Sequence, residues 1–454
     1  MAIKIKTILA NPDGVGLPKQ ASVMHALKAH IKLVSLTVLG LLIFTSLAES
    51  PYLAILVLDL LFCGYLVSLF KNKNKYFFLL HPFVLLVSSQ LFTGSFLSAG
   101  DGLDYSSVIV NNFNTQDLSF NDEGLMSSYT GVTLFKQLSL GVFPVFVVPE
   151  FFFVNPAEEV YYLWQGTFHV FLSLIVITLA RLWRILEEKY LFAMALFVVL
   201  SPTCFELGTA PTRHYVTLFG IFLLLIAHLA IRQRVKLSSL AWYAIAVAVV
   251  VISKMQLLIP YLVFVIIDMF FINRLKLKLK YMVMILVGLV FILVSTIDYA
   301  LESISSYEEV SKQGAASFGH FTEIPIIGWI VKYVFALLSP FPWSNSPRYI
   351  DSYAGNWFLF FMHTISALTG LYLFFVVIMK WRAIFAADNQ LKQVVIFALI
   401  MSLSILKGGT GFHGYLSIYF VMLAPLLTIK QLQINPILPI AFVVSMEAFV
   451  VFGK

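Results

Sequence analysis

Residues 213–236 read RHYVTLFGIFLLLIAHLAIRQRVK, and this stretch decides the fold class. Its first nineteen residues, 213–231, carry a single charge, at the leading edge, before the basic cluster Arg232/Arg234/Lys236. An uninterrupted apolar run of about 20 residues is what an α-helix needs to cross the hydrocarbon of a bilayer. The charge-rich end is what holds such a helix on the cytoplasmic side. The rest of the chain repeats the pattern. It has 454 residues, 60% of them hydrophobic and 12% charged, and its mean hydropathy is +0.91. Soluble domains are about 25% charged, so most of this chain has lipid as its solvent. The expected fold is an all-α polytopic membrane protein forming a single integral membrane domain over 1–454.

Thirteen spans are expected, at 31–48, 52–70, 77–97, 160–180, 190–206, 213–231, 239–253, 255–272, 281–300, 356–379, 391–406, 413–430 and 435–452. Of these, 239–253 and 391–406 are short for a crossing. The basic clusters orient them. Lys4 to Lys32, Lys71/Lys73/Lys75, Arg181/Arg184/Lys189, Arg232/Arg234/Lys236, Arg274/Lys276/Lys278/Lys280, Lys380/Arg382/Lys392 and Lys430 all fall on one side, 22 of the 30 Lys and Arg residues. That side is the cytoplasm by the positive-inside rule. Residues 1–30 are then a cytoplasmic lead, with no cleavable signal pattern, and the C-terminus is periplasmic. The pI near 9.1 is a topology signal and does not point to nucleic acid. Two long hydrophilic stretches, 98–158 and 301–356, form outer loops. Within them, 132–153 and 326–343 are apolar but broken by Pro144, Pro149, Pro340 or Pro342. Counting either alone as a crossing would invert every later basic cluster, so both are read as re-entrant or interfacial pieces with aromatics at headgroup level.

Charges that break the orientation pattern are the functional pointers. Arg213, followed by His214, stands at the outer start of one span and Arg348 just before another; they are the only outward arginines in this topology. Lys254 lies in a short outer turn, and Lys407 and His413 flank the glycine-rich turn Lys-Gly-Gly-Thr-Gly-Phe-His-Gly. Arginine presents a planar fork that matches phosphate oxygens, so cations at span ends can hold a lipid pyrophosphate. The competing reading is that each snorkels to ordinary lipid phosphate. Asp101 and Asp104 leave the membrane together in Ser-Ala-Gly-Asp-Gly-Leu-Asp-Tyr, where a carboxylate can deprotonate an acceptor hydroxyl or help hold a divalent ion, or can merely cap a loop. Asp351 follows Arg348 closely enough for a local ion pair.

Inside the spans, Asp59, Glu206, Asp298 and Glu447 stand out. Asp59 is the mid-span case, either a relay group or a neutral or Lys/Arg-paired structural acid. His81, His169, His228 and His363 are read as hydrogen-bonded packing residues. Cys63 and Cys204 lie in or at the end of apolar spans and suggest no disulfide framework. No HExxH, P-loop, GxSxG or CxxC pattern occurs, so a zinc protease, an ATPase and a serine hydrolase find no support, and no protein-bound metal is expected beyond that divalent ion.

Taken together, the many spans, two sizeable outer loops, aromatic richness and outward arginines resemble the bacterial Wzy-type polymerases that join lipid-linked repeat units of O-antigen or capsule. The local echoes are Leu-Ser-Pro-Thr at 200–203, Leu-Leu-Ser-Pro-Phe-Pro-Trp at 337–343, and His-Gly-Tyr at 413–415 running toward Pro425. The resemblance implies an inner-membrane glycosyltransferase without a nucleotide cofactor, acting on undecaprenyl-pyrophosphate-linked oligosaccharide, with a chain-length regulator as partner. Arg213 and Arg348, helped by His214, Lys254 and Lys407, would then bind pyrophosphate. Asp101, Asp104 or His413 would serve as base. The Asp101–Asp104–Tyr105 cluster is also similar to the acidic first loop of GT-C glycosyltransferases, although here it follows the third span. A GT-C transferase using a polyprenyl-phosphate sugar, and a lipid-linked oligosaccharide flippase, are the alternatives.

Overall fold

In the computed structural model, residues 20–92, 148–153, 156–201, 214–254, 257–269, 333, 357–403 and 420–452 are described. Every regular element among them is helical. In chain order they are α1 (Gln20–Ser46), α2 (Pro51–Leu69), a 3-10 helix (Lys73–Leu80), α3 (His81–Phe92), α4 (Val148–Phe152), α5 (Glu158–Leu182), α6 (Glu188–Leu200), α7 (His214–Gln233), α8 (Leu237–Lys254), α9 (Leu258–Ile267), α10 (Trp357–Ala386), α11 (Asn389–Ser402), two short 3-10 turns (Ala424–Thr428 and Lys430–Leu432) and α12 (Ile437–Phe452). Helices dominate because lipid offers no hydrogen-bond partner, so each spanning backbone must satisfy its own N–H and C=O groups.

Five described helices are long and apolar enough to cross a membrane: Pro51–Leu69, Glu159–Leu182, Tyr215–Gln233, Leu237–Lys254 and Thr364–Ala386. Each overlaps an expected span, and the short segment 239–253 is a full 18-residue helix. Elsewhere the helices differ from the expected spans. The expected crossing at 77–97 is divided between the 3-10 helix and α3. The segment 255–272 contributes a 10-residue apolar helix, α9. The expected pair 413–430 and 435–452 appears as Phe420–Thr428 and Lys430–Ser445, bent by 106°. Pro425 lies in the first turn of the Ala424–Thr428 3-10 segment and Pro436 directly precedes α12, positions where a missing N–H is tolerated. Helix α1 already begins at Gln20, inside the stretch read as a cytoplasmic lead. Most of the two outer loops, and the expected span 281–300, fall outside the described residues.

Burial grades the helices. Within its apolar window α7 is 89% buried and α5 72%, whereas α8 is 33% and α10 24%. Helices α7 and α5 therefore form the protein interior, and the others turn a broad side outward. That side is greasy: Val38, Leu41 and Leu42 of α1 and Ile440 and Val444 of α12 are all exposed. Large exposed apolar side chains in this number are a liability in water and the normal surface of a protein in lipid.

Helices α7 and α8 form an antiparallel hairpin across the three-residue link 234–236. A Cβ placed on Gly220 would lie 2.9 Å from Val249 Cγ1 and 3.2 Å from Val250 Cγ2, so the absence of a side chain there permits the close approach. Small residues at such contacts are the usual means of packing helices in lipid. Helix α5 ends with a backbone device. Arg184 has φ 52, and Ile185 N–H donates to Ala180 O at 3.1 Å. This is a Schellman-type stop in which arginine occupies the left-handed position that glycine usually takes.

The 3-10 helix shows its periodicity in burial. Lys75 is half-buried and Phe78 and His81 are buried, while Lys73, Asn74, Tyr76, Phe77, Leu79 and Leu80 are exposed. Side chains three apart eclipse in a 3-10 helix, so one straight column faces the protein. Phe78 meets Phe70 and Phe192 at ring separations of 5.8 Å each. Pro82 then occupies the first turn of α3, where its missing N–H costs nothing.

Near the far end of α1, the described residues 148–153, from the stretch expected to be the first outer loop, dock on protein. Phe44 meets Phe152 at 4.9 Å, Phe153 at 5.2 Å and Trp164 at 5.4 Å, and Tyr161 donates to Glu150. Phe151 is 78% exposed. Phe153, by contrast, is buried within the helix bundle.

Candidate functional site

The register of the α7–α8 hairpin brings two of the expected anion-binding residues together. From Gly220, opposite Val249, six residues back along α7 reach His214. The same six steps along the antiparallel partner reach residue 255, just past Lys254. His214 opens α7 and Lys254 closes α8, so both stand at one end of one hairpin. This end is also enclosed: Tyr215, Val216 and Thr217 are 1%, 7% and 3% exposed, and Phe168 packs edge-on against Tyr215 at 5.7 Å. Lys254 is half-buried. Its place at a helix C-terminus is itself favourable, because a cation there complements the helix dipole. Arg213 precedes α7 directly in sequence. Arg213, Arg348, Lys407, His413, Asp101 and Asp104 lie outside the described residues.

The other end of the same hairpin carries a buried polar network that the sequence did not announce. Asp268, 0% exposed, follows α9, where the helix widens into a π turn at Asp268–Met269. Arg232 Nη1 donates to Asp268 Oδ1 at 3.0 Å and lies 2.8 Å from Oδ2 as an ion pair. Gln393 Nε2, from α11, donates to Oδ1 at 2.9 Å. His228 Nε2 lies 3.0 Å from Oδ2, and its Nδ1 is 3.1 Å from the Tyr261 hydroxyl. A further hydrogen bond of 2.8 Å joins Tyr261 to Tyr243 of α8. His228 and Arg232 are four residues apart and share a helix face, so one turn of α7 supplies both groups.

This network could pass a proton or could lock helices together. The doubly contacted Asp268–Arg232 pair decides for the second. A carboxylate and a guanidinium in contact form the neutral combination that a low-dielectric interior accepts, and removing either charge from the pair is costly. A group held in one charge state is a poor proton carrier. The network therefore ties α7 and α8 to α9 and α11, fixing the hairpin whose far end holds His214 and Lys254.

A second buried acid stands in α2. Asp59 Oδ2 lies 2.8 Å from His81 Nδ1, with Asp59 0% and His81 1% exposed. This resolves the two readings of Asp59 in part: its partner is a histidine and not a lysine or arginine. Hydrogen-bonded packing holds for three of the four histidines, since His169 also meets Val198 O at 3.2 Å. The side chain of His363 is outside the described residues. Cys63, one turn beyond Asp59, completes a group of three donor side chains whose ligand atoms lie within 4.8 Å of one another.

Comparison with protein-family models, with curated proteins and with solved structures finds no match for this chain.

Proposed function

We propose that the protein is a membrane glycosyltransferase that polymerises undecaprenyl-pyrophosphate-linked oligosaccharide repeat units at the periplasmic face of the inner membrane. The observation that carries this reading is the shared position of His214 and Lys254 at one enclosed end of the α7–α8 hairpin, directly after Arg213 in sequence. Lys254 closes the less buried α8, whereas Arg213 leads in sequence into α7. Helix α7 is the most buried of the five long apolar helices, and its first turn is surrounded by protein. The positive end of the α7 dipole, at the helix start that follows Arg213, favours an anion at this end of the bundle.

In this mechanism Arg213, His214 and Lys254, with Arg348 and Lys407, hold the pyrophosphate. The bond from the donor sugar's anomeric carbon to the pyrophosphate oxygen breaks, and a bond from that carbon to an acceptor hydroxyl forms. Asp101, Asp104 or His413 takes the acceptor proton, and undecaprenyl pyrophosphate departs with the electron pair. Stabilising that leaving group is the main catalytic contribution. No nucleotide is consumed, in keeping with the absence of a P-loop.

The test is polymer length in cells whose own copy of the gene is replaced by a variant. Arg213→Lys keeps charge but loses the fork. Losing a charge-assisted contact costs about 2–5 kcal/mol, which is a loss of about 30-fold or more in rate. Arg213→Lys and Lys254→Gln should each leave single repeat units displayed outside while long chains disappear, at unchanged protein level. Wild-type chain lengths in both variants would remove these cations from the mechanism. Repeat units trapped in the cytoplasm would point to a carrier instead.

A further inference from the structure

Asp59, Cys63 and His81 form a donor set that the proposed transfer reaction does not use. Asp59 and Cys63 are four residues apart on α2 and therefore share one face. His81 reaches them from the junction of the 3-10 helix and α3. The geometry of the turn explains the meeting. From Leu69 back to Asp59, α2 covers about 15 Å at 1.5 Å per residue. The eight residues of the 3-10 helix climb about 16 Å at 2.0 Å per residue. The two arms of the turn thus arrive at the same depth.

Three observations bear on what this set can hold. First, the carboxylate, thiol and imidazole donor atoms all lie within 4.8 Å of one another, and the three residues are 0%, 0% and 1% exposed. Second, Asp59 Oδ2 is engaged by His81, but Asp59 Oδ1 is buried with no hydrogen-bond partner among the described residues. An unsatisfied carboxylate oxygen is costly in an apolar interior. Third, Cys63 is a free thiol.

We propose that Asp59, Cys63 and His81 bind a divalent transition-metal ion of the Zn2+ class, which fastens the 3-10 helix and α3 to α2. One carboxylate, one thiolate and one imidazole are an accepted ligand set for zinc and a poor one for magnesium or calcium, which take oxygen alone. Zinc–ligand bonds of about 2.0–2.3 Å place tetrahedral ligands about 3.3–3.7 Å apart, so the three donors need only small torsional adjustments. The ion gives Asp59 Oδ1 or Oδ2 a partner. The charges also close: Zn2+ with one carboxylate, one thiolate and a neutral imidazole is uncharged, which suits an apolar interior. Starting from the neutral set, binding releases two protons to solvent. One leaves Cys63 Sγ, and the other is the proton shared by His81 Nδ1 and Asp59 Oδ2. No electron is transferred.

The experiment uses the full chain in detergent with Cys204→Ser, so that Cys63 is the sole thiol. The protein is stripped with a chelator and reloaded with Co2+, whose thiolate charge-transfer absorption in the near ultraviolet reports a sulfur ligand. The expected result is about one Co2+ per chain with that absorption, displaced by Zn2+. Asp59→Asn should weaken Co2+ retention at least tenfold. Absence of the absorption would overturn the proposal, because Cys63 would then not be a ligand. Retention unchanged in Asp59→Asn would also overturn it, since the carboxylate would play no part. Because the parent protein alone gives the first result, a variant that fails to fold does not obscure it.

Discussion

Two aspartates are sealed inside this helix bundle, and they are satisfied to very different degrees. Asp268 receives Arg232 on both oxygens, Gln393 on one and His228 on the other. Asp59 has His81 on one oxygen and, among the described residues, no hydrogen-bond partner on the other. Both are 0% exposed. The difference separates two reasons for burying a charge. A fully paired carboxylate is part of the frame: it draws on three helices and holds them in place. A half-paired carboxylate beside a thiol and an imidazole is a socket, because its remaining lone pairs are the binding capacity.

The comparison can be broken most directly at Asp268. Asp268→Ala strands the Arg232 guanidinium and should cost about 3–5 kcal/mol, the usual penalty for breaking a buried ion pair. Thermal unfolding in detergent, followed by tryptophan fluorescence, reads the loss; a variant as stable as wild type would show that the network is not a clamp. Gln393→Leu is gentler, because it removes one donor and leaves Arg232 in place. The expected loss is about 1.5–3 kcal/mol, typical of a hydrogen bond to a charged group. A loss as large as that of Asp268→Ala would mean that α11 and not the hairpin supplies most of the anchoring. The smallest effect is expected at the other aspartate. In chelator-stripped protein, Asp59→Asn keeps an oxygen for His81 and should change stability by less than about 1 kcal/mol. A loss matching that of Asp268→Ala would show that the two acids play the same structural role.

The sequence made the helical class and the apolar windows readable because both depend on local composition. The basic clusters and the unbroken run at 213–231 required no tertiary information. Lys254 and His214 could be named singly, since each is a charge or ring at a span end. Their common position depends on Gly220 meeting Val249, which is a packing fact. Arg232 was visible only as one cation of a cytoplasmic cluster. Its partner Asp268 lies 36 residues away, and a separation of that size leaves no periodic trace. A weak signal did exist, in that His228 and Arg232 share a helix face within an otherwise apolar run. Asp59 was conspicuous as a mid-span acid, yet its histidine partner was hidden by the reading of 77–97 as one continuous helix.

The 3-10 winding of Lys73–Leu80 has a mechanical consequence. Eight residues wound as a 3-10 helix are about 4 Å longer than the same eight wound as α. Rewinding would also turn the far end by about 160°, since each residue advances about 120° in one form and 100° in the other. His81 would retract from Asp59 and swing to the opposite side of its helix. The reach and the aim of that imidazole are therefore both set by the pitch of a short 3-10 coil, which works as a screw thread: one residue inserted into or removed from Lys73–Leu80 would swing His81 away from Asp59 without altering α2.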